Sequence, residues 1–353
     1  MHPRRILAAL ALVASATLCV AADDSVVFGY YNLAFNDQAS DIDFSQYTHV
    51  NLGFGLPQED GTITYNHADL IAGVAENIQR QGAQVLISVG SWEGSQWFSA
   101  IMANEDNRTS FIANIVDFVS AHKLDGVDIL WEYPGKATCS CFGADSTNDV
   151  PNFLQFLEDL REGLDHVSGA GNKLLTIGVS YDLYAYDGDK KMDYKKFADV
   201  VDYAHILAFG INGAWQGDTG PYAPFYTDSR GAPYSFVSAI DTWIGAGWPP
   251  AQLTAGISFG GRGTNTLADM TGNLTNQYQP QGNPYPCESD AQCPGNIPNV
   301  TNPQEATKTL NYAPEMATKT FDYNAEVATK TWKKDSSGWQ NANELDKNYW
   351  NNK

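Results

Sequence analysis

The alternation of short apolar runs with longer amphipathic segments constrains the fold of this chain more than any other feature. Seven runs have the composition of buried strands: Val26–Tyr31, His49–Gly55, Val85–Gly90, Gly126–Glu132, Leu174–Ser180, His205–Phe209 and Thr254–Phe259. Helical patterns lie between most of them, most clearly at Asp69–Gln81, Asn107–His122, Val150–Val167 and Asp193–Val201. Because this alternation is typical of parallel sheets and seven strands favour closure, we predict an α/β chain with a (β/α)8 (TIM) barrel.

The chain beyond the seventh predicted strand has a different character. Gly, Pro, Asn and Gln are frequent from Gly260 onward, and we predict an irregular insertion over residues 260–335. This region contains the tetrapeptide Ala-Thr-Lys-Thr three times at eleven-residue spacing. The spacing could mark one face of a helix, but the threonines and Pro314 disfavour a helix, so we interpret the repeat as a local duplication. No eighth strand is recognisable, so either the barrel closes atypically or the sequence is truncated.

The N-terminus predicts a secretory signal peptide over residues 1–22. Two arginines precede the apolar segment Ile6–Leu18, and Val20–Ala22 supplies the small residues of a cleavage site. A membrane anchor is the alternative, although the apolar run is short for a membrane span. Residues 23–353 then form one secreted domain, because a single barrel commonly has this length.

Charge, cysteines and sequons agree with an exported protein. The formal charge is −20, or about −22 without the two leader arginines, which disfavours nucleic acid and anionic membranes as partners. An even number of cysteines remains after the leader, which suggests disulfides: Cys139, Cys141, Cys287 and Cys293. A local Cys287–Cys293 bridge and pairing between the two groups both stay open. N-glycosylation sequons occur at Asn107, Asn273 and Asn299.

The segment Leu124–Gly135 carries the clearest catalytic pattern, an apolar strand that ends in a carboxylate before a Pro-Gly turn. Because side chains alternate along a strand, Asp128, Leu130 and Glu132 share the face that points into a barrel, and Trp131 lies on the outer face. Glu132 would then lie at the carboxyl end of its strand, where barrel active sites form. Strand-end capping is the alternative role, but inward carboxylates on an apolar strand are costly without a function.

This segment resembles the signature of the glycoside hydrolase family 18 chitinases, Asp-Gly-x-Asp-x-Asp-Trp-Glu. The matching residues are Asp125, Gly126, Asp128, Trp131 and Glu132. Other stretches resemble the same family: Phe28–Tyr31, Tyr47–Phe54, Ser88–Trp92, Asn152–Arg161 and Gly256–Arg262. The chain is similar in particular to catalytically degenerate, secreted chitinase-like proteins of fungi, the chitinase-like effectors.

The resemblance implies substrate-assisted hydrolysis, in which the glutamate protonates the glycosidic oxygen and the acetamide of the substrate attacks the anomeric carbon. In the family, the third aspartate of the signature and a Tyr-Asp pair on the sixth strand hold that acetamide. Here Leu130 occupies the aspartate position, and Phe209 and Gly210 occupy the positions of the pair. Since losing one such group typically lowers the rate about 10²–10³-fold, we expect little or no hydrolysis.

Binding of chitin or N-acetylglucosamine oligosaccharides is the function that these residues favour. Burial is expected to raise the pKa of Glu132 and keep it a hydrogen-bond donor. Aromatic rings near the strand ends are predicted to stack on sugars, with core packing as the alternative: Tyr30, Phe54, Trp92, Tyr133, Tyr181, Phe209 and Trp215. The resemblance further implies that chitin fragments are sequestered from host immune receptors.

Two other functions stay open, a weakly active family 18 glycosidase that uses Glu132 as general acid and a purely structural barrel. We expect no cofactor and no metal, because no phosphate-binding glycine motif follows a strand and the six His residues lack ligand spacing. We also expect a monomer.

Overall fold

The computed structural model describes residues 26–33, 39, 42–65, 67–137, 142–167, 172–188, 191–213, 215–258, 277–281, 332–335 and 338–341. Several predictions from the sequence fall outside these residues: the signal peptide 1–22, the four mature cysteines, the sequons at Asn273 and Asn299, and the Ala-Thr-Lys-Thr repeat. Within the described ranges, no helix combines the length and apolar character that a membrane crossing requires.

Seven parallel strands form one curled sheet. Their bounds are β1 Phe28–Asn32, β2 His49–Pro57, β4 Gln84–Gly90, β5 Gly126–Leu130, β6 Leu174–Ser180, β7 Tyr203–Leu207 and β8 Leu253–Ala255, and they pair in that order. A short strand β3, Ile63–Tyr65, pairs antiparallel with β2. All seven predicted strands are present with shifted ends, and the predicted α/β, barrel-type fold class is confirmed.

Three of the four predicted helices are confirmed as α1 Ala68–Arg80, α4 Glu105–Ala121 and α5 Asp149–Asp165. The fourth prediction, Asp193–Val201, was too long, because only the single turn α6 Lys195–Ala198 is helical. Three helices were not predicted: α2 Ser91–Gly94, α3 Phe98–Ala103 and α7 Phe236–Gly245. The first two are too short to show a helical period, whereas α7 begins with a Ser235–Ser238 capping box that sequence reasoning overlooked.

The two faces of the sheet differ in chemistry. Apolar side chains of the outer face, such as Val127 and Ile129, are fully buried in the hydrophobic core. Trp131 joins them by stacking on Phe98 of α3 with 5.3 Å between ring centroids, as the alternation along the strand predicted. The inner face instead buries polar residues: Asn51, Ser88, Asp128, Thr176 and His205. Because burying polar groups is costly unless they are hydrogen-bonded, this interior needs an internal network.

The sheet curls far enough for its ends to approach each other. The ring centroid of Phe28 on β1 lies 4.3 Å from that of His205 on β7. Among the described residues, no strand pairs with the free edges of β1 and β8. The prediction that residues 260–335 are irregular was wrong for the last four of them, because β9 Trp332–Asp335 pairs as a hairpin with β10 Gly338–Asn341. A hairpin needs only a partner nearby in sequence, so it can form there without barrel contacts.

Candidate functional site

Glu132 follows β5 by two residues and lies at the edge of the sheet formed by the carboxyl ends of the parallel strands. Its backbone N–H donates to the Ser95 hydroxyl at 2.8 Å, which fixes the turn against α2. Burial raises the pKa of the Glu132 carboxyl to about 7, while hydrogen bonds from the Tyr133 side chain and the Trp92 backbone oppose that rise. Near neutral pH a substantial fraction of Glu132 is therefore protonated and able to donate a hydrogen bond, as the sequence predicted.

Asp128 lies deeper in the interior and accepts three hydrogen bonds from hydroxyl groups. Ser88 on β4 and Thr176 on β6 donate at 2.7 and 2.8 Å, and the register of the parallel strands places both directly beside Asp128. The hydroxyl of Tyr30 donates from β1 at 2.9 Å. Its hydrogen-bond partners therefore hold Asp128 inside the barrel, two residues below Leu130.

His205 on β7 does not supply a positive charge to this interior. Its Nε2 lies 3.8 Å from Asp128, and its Nδ1 lies 2.7 Å from the Thr254 hydroxyl. Burial lowers the pKa of His205 to about 4, with Asp128 opposing the shift, so the ring is neutral at pH 7. Among the described residues, the Asp128 carboxyl is thus surrounded by hydroxyl donors and a neutral imidazole rather than by a cation.

Leu130 separates the two carboxylates with an apolar side chain. It is 5% exposed. Its Cδ1 packs on Gly178 of β6 so closely that a Cβ built on that glycine would lie 2.1 Å away. Gly178 therefore provides the space for Leu130, and this position offers no hydrogen-bond acceptor between Asp128 and Glu132.

The end of β7 also lacks polar side chains. Phe209 is half-buried and faces Tyr222 with 6.5 Å between ring centroids and 25° between planes. Gly210 has φ 66°, and the atom nearest to a Cβ built on it is Tyr222 Oη at 3.7 Å. Sequence reasoning missed Tyr222, because it lies in an irregular loop where no periodic pattern indicates which residues meet.

The predicted sugar-stacking residues form a ring-lined site only in part. Tyr30 joins Phe54 at 6.5 Å between centroids and Asp128 through its hydroxyl. Tyr133 interacts electrostatically with Glu132 and Tyr181, and its pKa is raised mainly by burial. The structure therefore brings these rings together with both carboxylates.

The two predicted groove tryptophans are the more exposed rings. Trp92 is 39% exposed and meets Phe142 edge-on at 5.8 Å. Trp215 is 52% exposed and lies over Gly213, beyond the end of β7. The backbone of Trp92 is hydrogen-bonded to the Glu132 carboxyl. Trp215 instead lies in the loop after β7, which is two strands from β5, the strand that precedes Glu132.

A further carboxylate, which sequence reasoning overlooked, holds the chain that follows Glu132. Asp149, at the start of α5, is 1% exposed and accepts a hydrogen bond from the Ser99 hydroxyl at 2.6 Å. It also accepts from the backbone N–H groups of Gly135 and Asp145 at 3.1 and 2.8 Å. Asp149 therefore ties the Pro-Gly turn after Glu132 to α3 and α5. In the part of the chain that the structure describes, no three His, Cys, Asp or Glu residues cluster as a metal site.

A half-buried acid at the carboxyl end of a barrel strand, above a polar interior and beside partly exposed rings, places a candidate ligand site where barrel enzymes have their active sites. Sequence comparison assigns the family. The profile described as "Glycosyl hydrolases family 18" matches residues 26–340, and the chain belongs to this family. The resemblance predicted from the sequence motifs is thereby confirmed.

Similar proteins include two chitinase-like effectors. The one from Moniliophthora perniciosa is 33% identical over 239 residues, which cover 65% of this chain and 53% of the relative. The one from Moniliophthora roreri is 30% identical over 233 residues, which cover 64% and 55% respectively. The chain thus spans about half the length of the curated relatives it matches.

Solved chitinase structures share the fold. A chitinase from Rhizomucor miehei superposes with a TM-score of 0.66 at 28% identity, covering 73% of this chain and 69% of that one. The Ostrinia furnacalis group IV chitinase, in complex with allosamidin, gives a TM-score of 0.62 at 26% identity, with coverage of 76% and 74%.

Proposed function

We propose that this protein is secreted, binds chitin or N-acetylglucosamine oligosaccharides, and hydrolyses them little or not at all. One observation carries the proposal. The acid Glu132 is retained in a hydrogen-bonded setting, while the positions that would hold and offset the reacting acetamide carry Leu130 and Gly210.

The chemistry of Glu132 supports binding. With a pKa of about 7, the carboxyl is largely neutral in mildly acidic solution and can donate a hydrogen bond to a glycosidic oxygen. The rings of Tyr30 and Phe54, together with the exposed face of Trp92, provide apolar surfaces for sugar rings. A neutral oligosaccharide is also compatible with a chain whose formal charge is −20.

The surroundings of Glu132 argue against efficient hydrolysis. Substrate-assisted cleavage develops positive charge on the cyclic intermediate, and electrostatic stabilisation of such charge is usually the largest catalytic contribution. Leu130 offers no counter-charge, and Asp128 is held below it by three hydroxyl groups. Relative to an intact site, a loss of at least about 10²–10³-fold in rate is expected from the Leu130 position alone.

Residual glycosidase activity is the second candidate function. The pKa of Glu132 lies where a general acid works best, near the operating pH, and supports slow protonation of a leaving group. Within the binding proposal, we further propose that the protein sequesters chitin fragments from host receptors; two of its relatives are named chitinase-like effectors. We also propose that the protein acts as a monomer and that neither nucleic acid nor a membrane is its partner.

The test measures binding and cleavage of one chitin hexamer on one preparation. Calorimetry gives the affinity of the wild type, and mass spectrometry of the same mixture gives the products. Binding without products supports the proposal. Products that disappear in the Glu132→Gln variant would establish residual hydrolysis instead, and the lack of both would leave a structural barrel.

A gain-of-function variant sharpens the same test. Leu130→Asp, Phe209→Tyr and Gly210→Asp together restore the acetamide-holding groups that the family resemblance implies. Aspartate tolerates the left-handed backbone of position 210 better than most residues. Hydrolysis by the triple variant is expected to exceed that of the wild type by about 10²-fold or more, and Glu132→Gln in that background should abolish it.

A further inference from the structure

A cavity on the outside of the barrel lies between α3 and the start of α5. Its volume is about 410 Å³, and the residues that line it include Gln96, Trp97, Ser99, Asp145, Asp149 and Asn152. Neither Glu132 nor any of the predicted sugar-stacking rings lines it. The loop before α5 has Phe142 edge-on to Trp92 at 5.8 Å and its next three residues in the cavity wall, so it separates this cavity from the Glu132 site.

The buried carboxylate of Asp149 holds the walls of this cavity together. Its oxygens accept hydrogen bonds from the Ser99 hydroxyl on α3 and from the backbone N–H groups of Gly135 and Asp145. These bonds join α3, α5 and the loop between β5 and α5, so the protein itself fixes the shape of the cavity. Preformed cavities of about 300–1,000 Å³ are typical of small-molecule sites, and this one lies within that range.

The cavity offers polar groups that have no partner within the protein. Among the described residues, the side-chain amides of Gln96 and Asn152 and the indole N–H of Trp97 make no hydrogen bond. Each amide supplies both donors and an acceptor, which suits sugar hydroxyl groups, since these also donate and accept. Trp97 adds apolar surface of the kind that sugar rings contact, because its ring is only partly buried against the core.

The charge at this cavity disfavours anionic ligands. Hydrogen bonds from the Asn148 side chain and from the backbone N–H groups of Thr147 and Asn148 lower the pKa of the Asp145 carboxyl, so it is ionised at neutral pH. No lysine or arginine lines the cavity to offset this charge. A phosphate or an acidic sugar would therefore meet a like charge there, whereas a neutral ligand would not.

We propose that this cavity is a second saccharide-binding site, which takes a short piece of a neutral chitin-type chain through Gln96, Asn152 and Trp97. It takes the ligand class of the proposed function but uses none of the residues that would bind sugar beside Glu132. Two sites on one chain hold a polymer more strongly than either site alone, because the second contact forms at a high effective concentration.

Fluorine NMR of the protein labelled with 5-fluorotryptophan monitors the two sites separately. The Trp97 signal reports on the cavity and the Trp92 signal on the Glu132 site, and each is assigned by its substitution with phenylalanine. The ligand is the disaccharide of N-acetylglucosamine. Both signals are expected to shift during the titration, each with its own dissociation constant.

Removing the two amides should weaken the cavity site alone. In the Gln96→Ala/Asn152→Ala variant, the dissociation constant from the Trp97 signal should rise about tenfold or more, since each neutral hydrogen bond contributes about fivefold. The constant from the Trp92 signal should stay within twofold, which also shows that the variant is folded. The matched control is Gln155→Ala, an exposed amide on α5 that does not line the cavity, and both constants should stay within twofold.

The outcomes separate this inference from the proposed function. A Trp97 signal that does not move, or that moves with an unchanged constant in the double variant, overturns the second site and leaves binding beside Glu132 intact. If the Trp97 signal shifts and the Trp92 signal does not, the second site stands and binding beside Glu132 fails. A hyaluronan disaccharide, which carries a carboxylate, should not shift the Trp97 signal, and tighter binding of it than of the neutral disaccharide would overturn the inference.

Discussion

Replacing Glu132 by glutamine should stabilise the protein in a pH-dependent way. Burial raises the pKa of this carboxyl from its usual 4.5 to about 7. At 1.36 kcal/mol per pKa unit, ionised Glu132 destabilises the folded state by about 3 kcal/mol. Glutamine has nearly the shape of the neutral acid and cannot ionise, and its carbonyl oxygen can keep the hydrogen bonds from Tyr133 and Trp92.

The sign of the effect follows from the raised pKa of the folded state. Below pH 4.5 the carboxyl is protonated in both states, so the penalty is absent; it grows between pH 4.5 and 7 and is complete above 7. Glu132→Gln should therefore raise the free energy of unfolding by about 3 kcal/mol at pH 8 and change it by less than about 0.5 kcal/mol at pH 4.

Urea unfolding of wild type and variant at pH 4, 6 and 8 measures this difference directly. The matched control is Glu93→Gln on the neighbouring helix α2, where the carboxylate is exposed and a change within about 0.5 kcal/mol is expected at each pH. A stabilisation by Glu132→Gln that does not depend on pH, or one that is largest at pH 4, would refute a buried acid with a raised pKa.

Other substitutions test the contacts around this acid. Asp128→Ala leaves three hydroxyl groups without their acceptor and should lower the free energy of unfolding by about 3 kcal/mol or more, measured by urea unfolding at pH 7, whereas Asp128→Asn should cost less because it keeps an acceptor oxygen. Trp92→Ala should weaken binding of chitin hexamer about tenfold in calorimetry while changing stability by less than about 1 kcal/mol, because the ring is already 39% exposed.

The sequence alone determined the seven parallel strands, three of the helices and the orientation of the segment from Gly126 to Glu132. Side chains on a strand alternate, so the placement of Asp128, Leu130 and Glu132 inside and Trp131 outside followed from local periodicity. The buried setting that raises the pKa of Glu132 was predicted in the same way. The sequence also indicated that Phe209 and Gly210 occupy the positions of the Tyr-Asp pair of the family, because the family motif aligns with this strand residue by residue.

Short helices and long-range pairs were not predictable in this way. A helical period becomes visible in a sequence only over more than one turn. The short helices α2 and α3 were therefore not predicted, and the helix predicted at α6 was longer than the observed one. The hairpin of β9 and β10 was missed for a related reason, since its strands are short and lie in a segment of loop-like composition.

Tertiary structure decided which side chains meet. The three hydroxyl groups that donate to Asp128 belong to residues that are 40, 48 and 98 positions away from it in the sequence. Sheet register and barrel curvature bring these residues together. Tyr222 lies beside Gly210 because its loop is hydrogen-bonded back to Ile211 and Asn212, which follow β7. Local patterns report which face of an element a residue occupies, whereas the contact between two faces depends on packing of the whole chain. The sequence by itself therefore determined a family 18 barrel with an altered site, and the fold decided what surrounds each altered position.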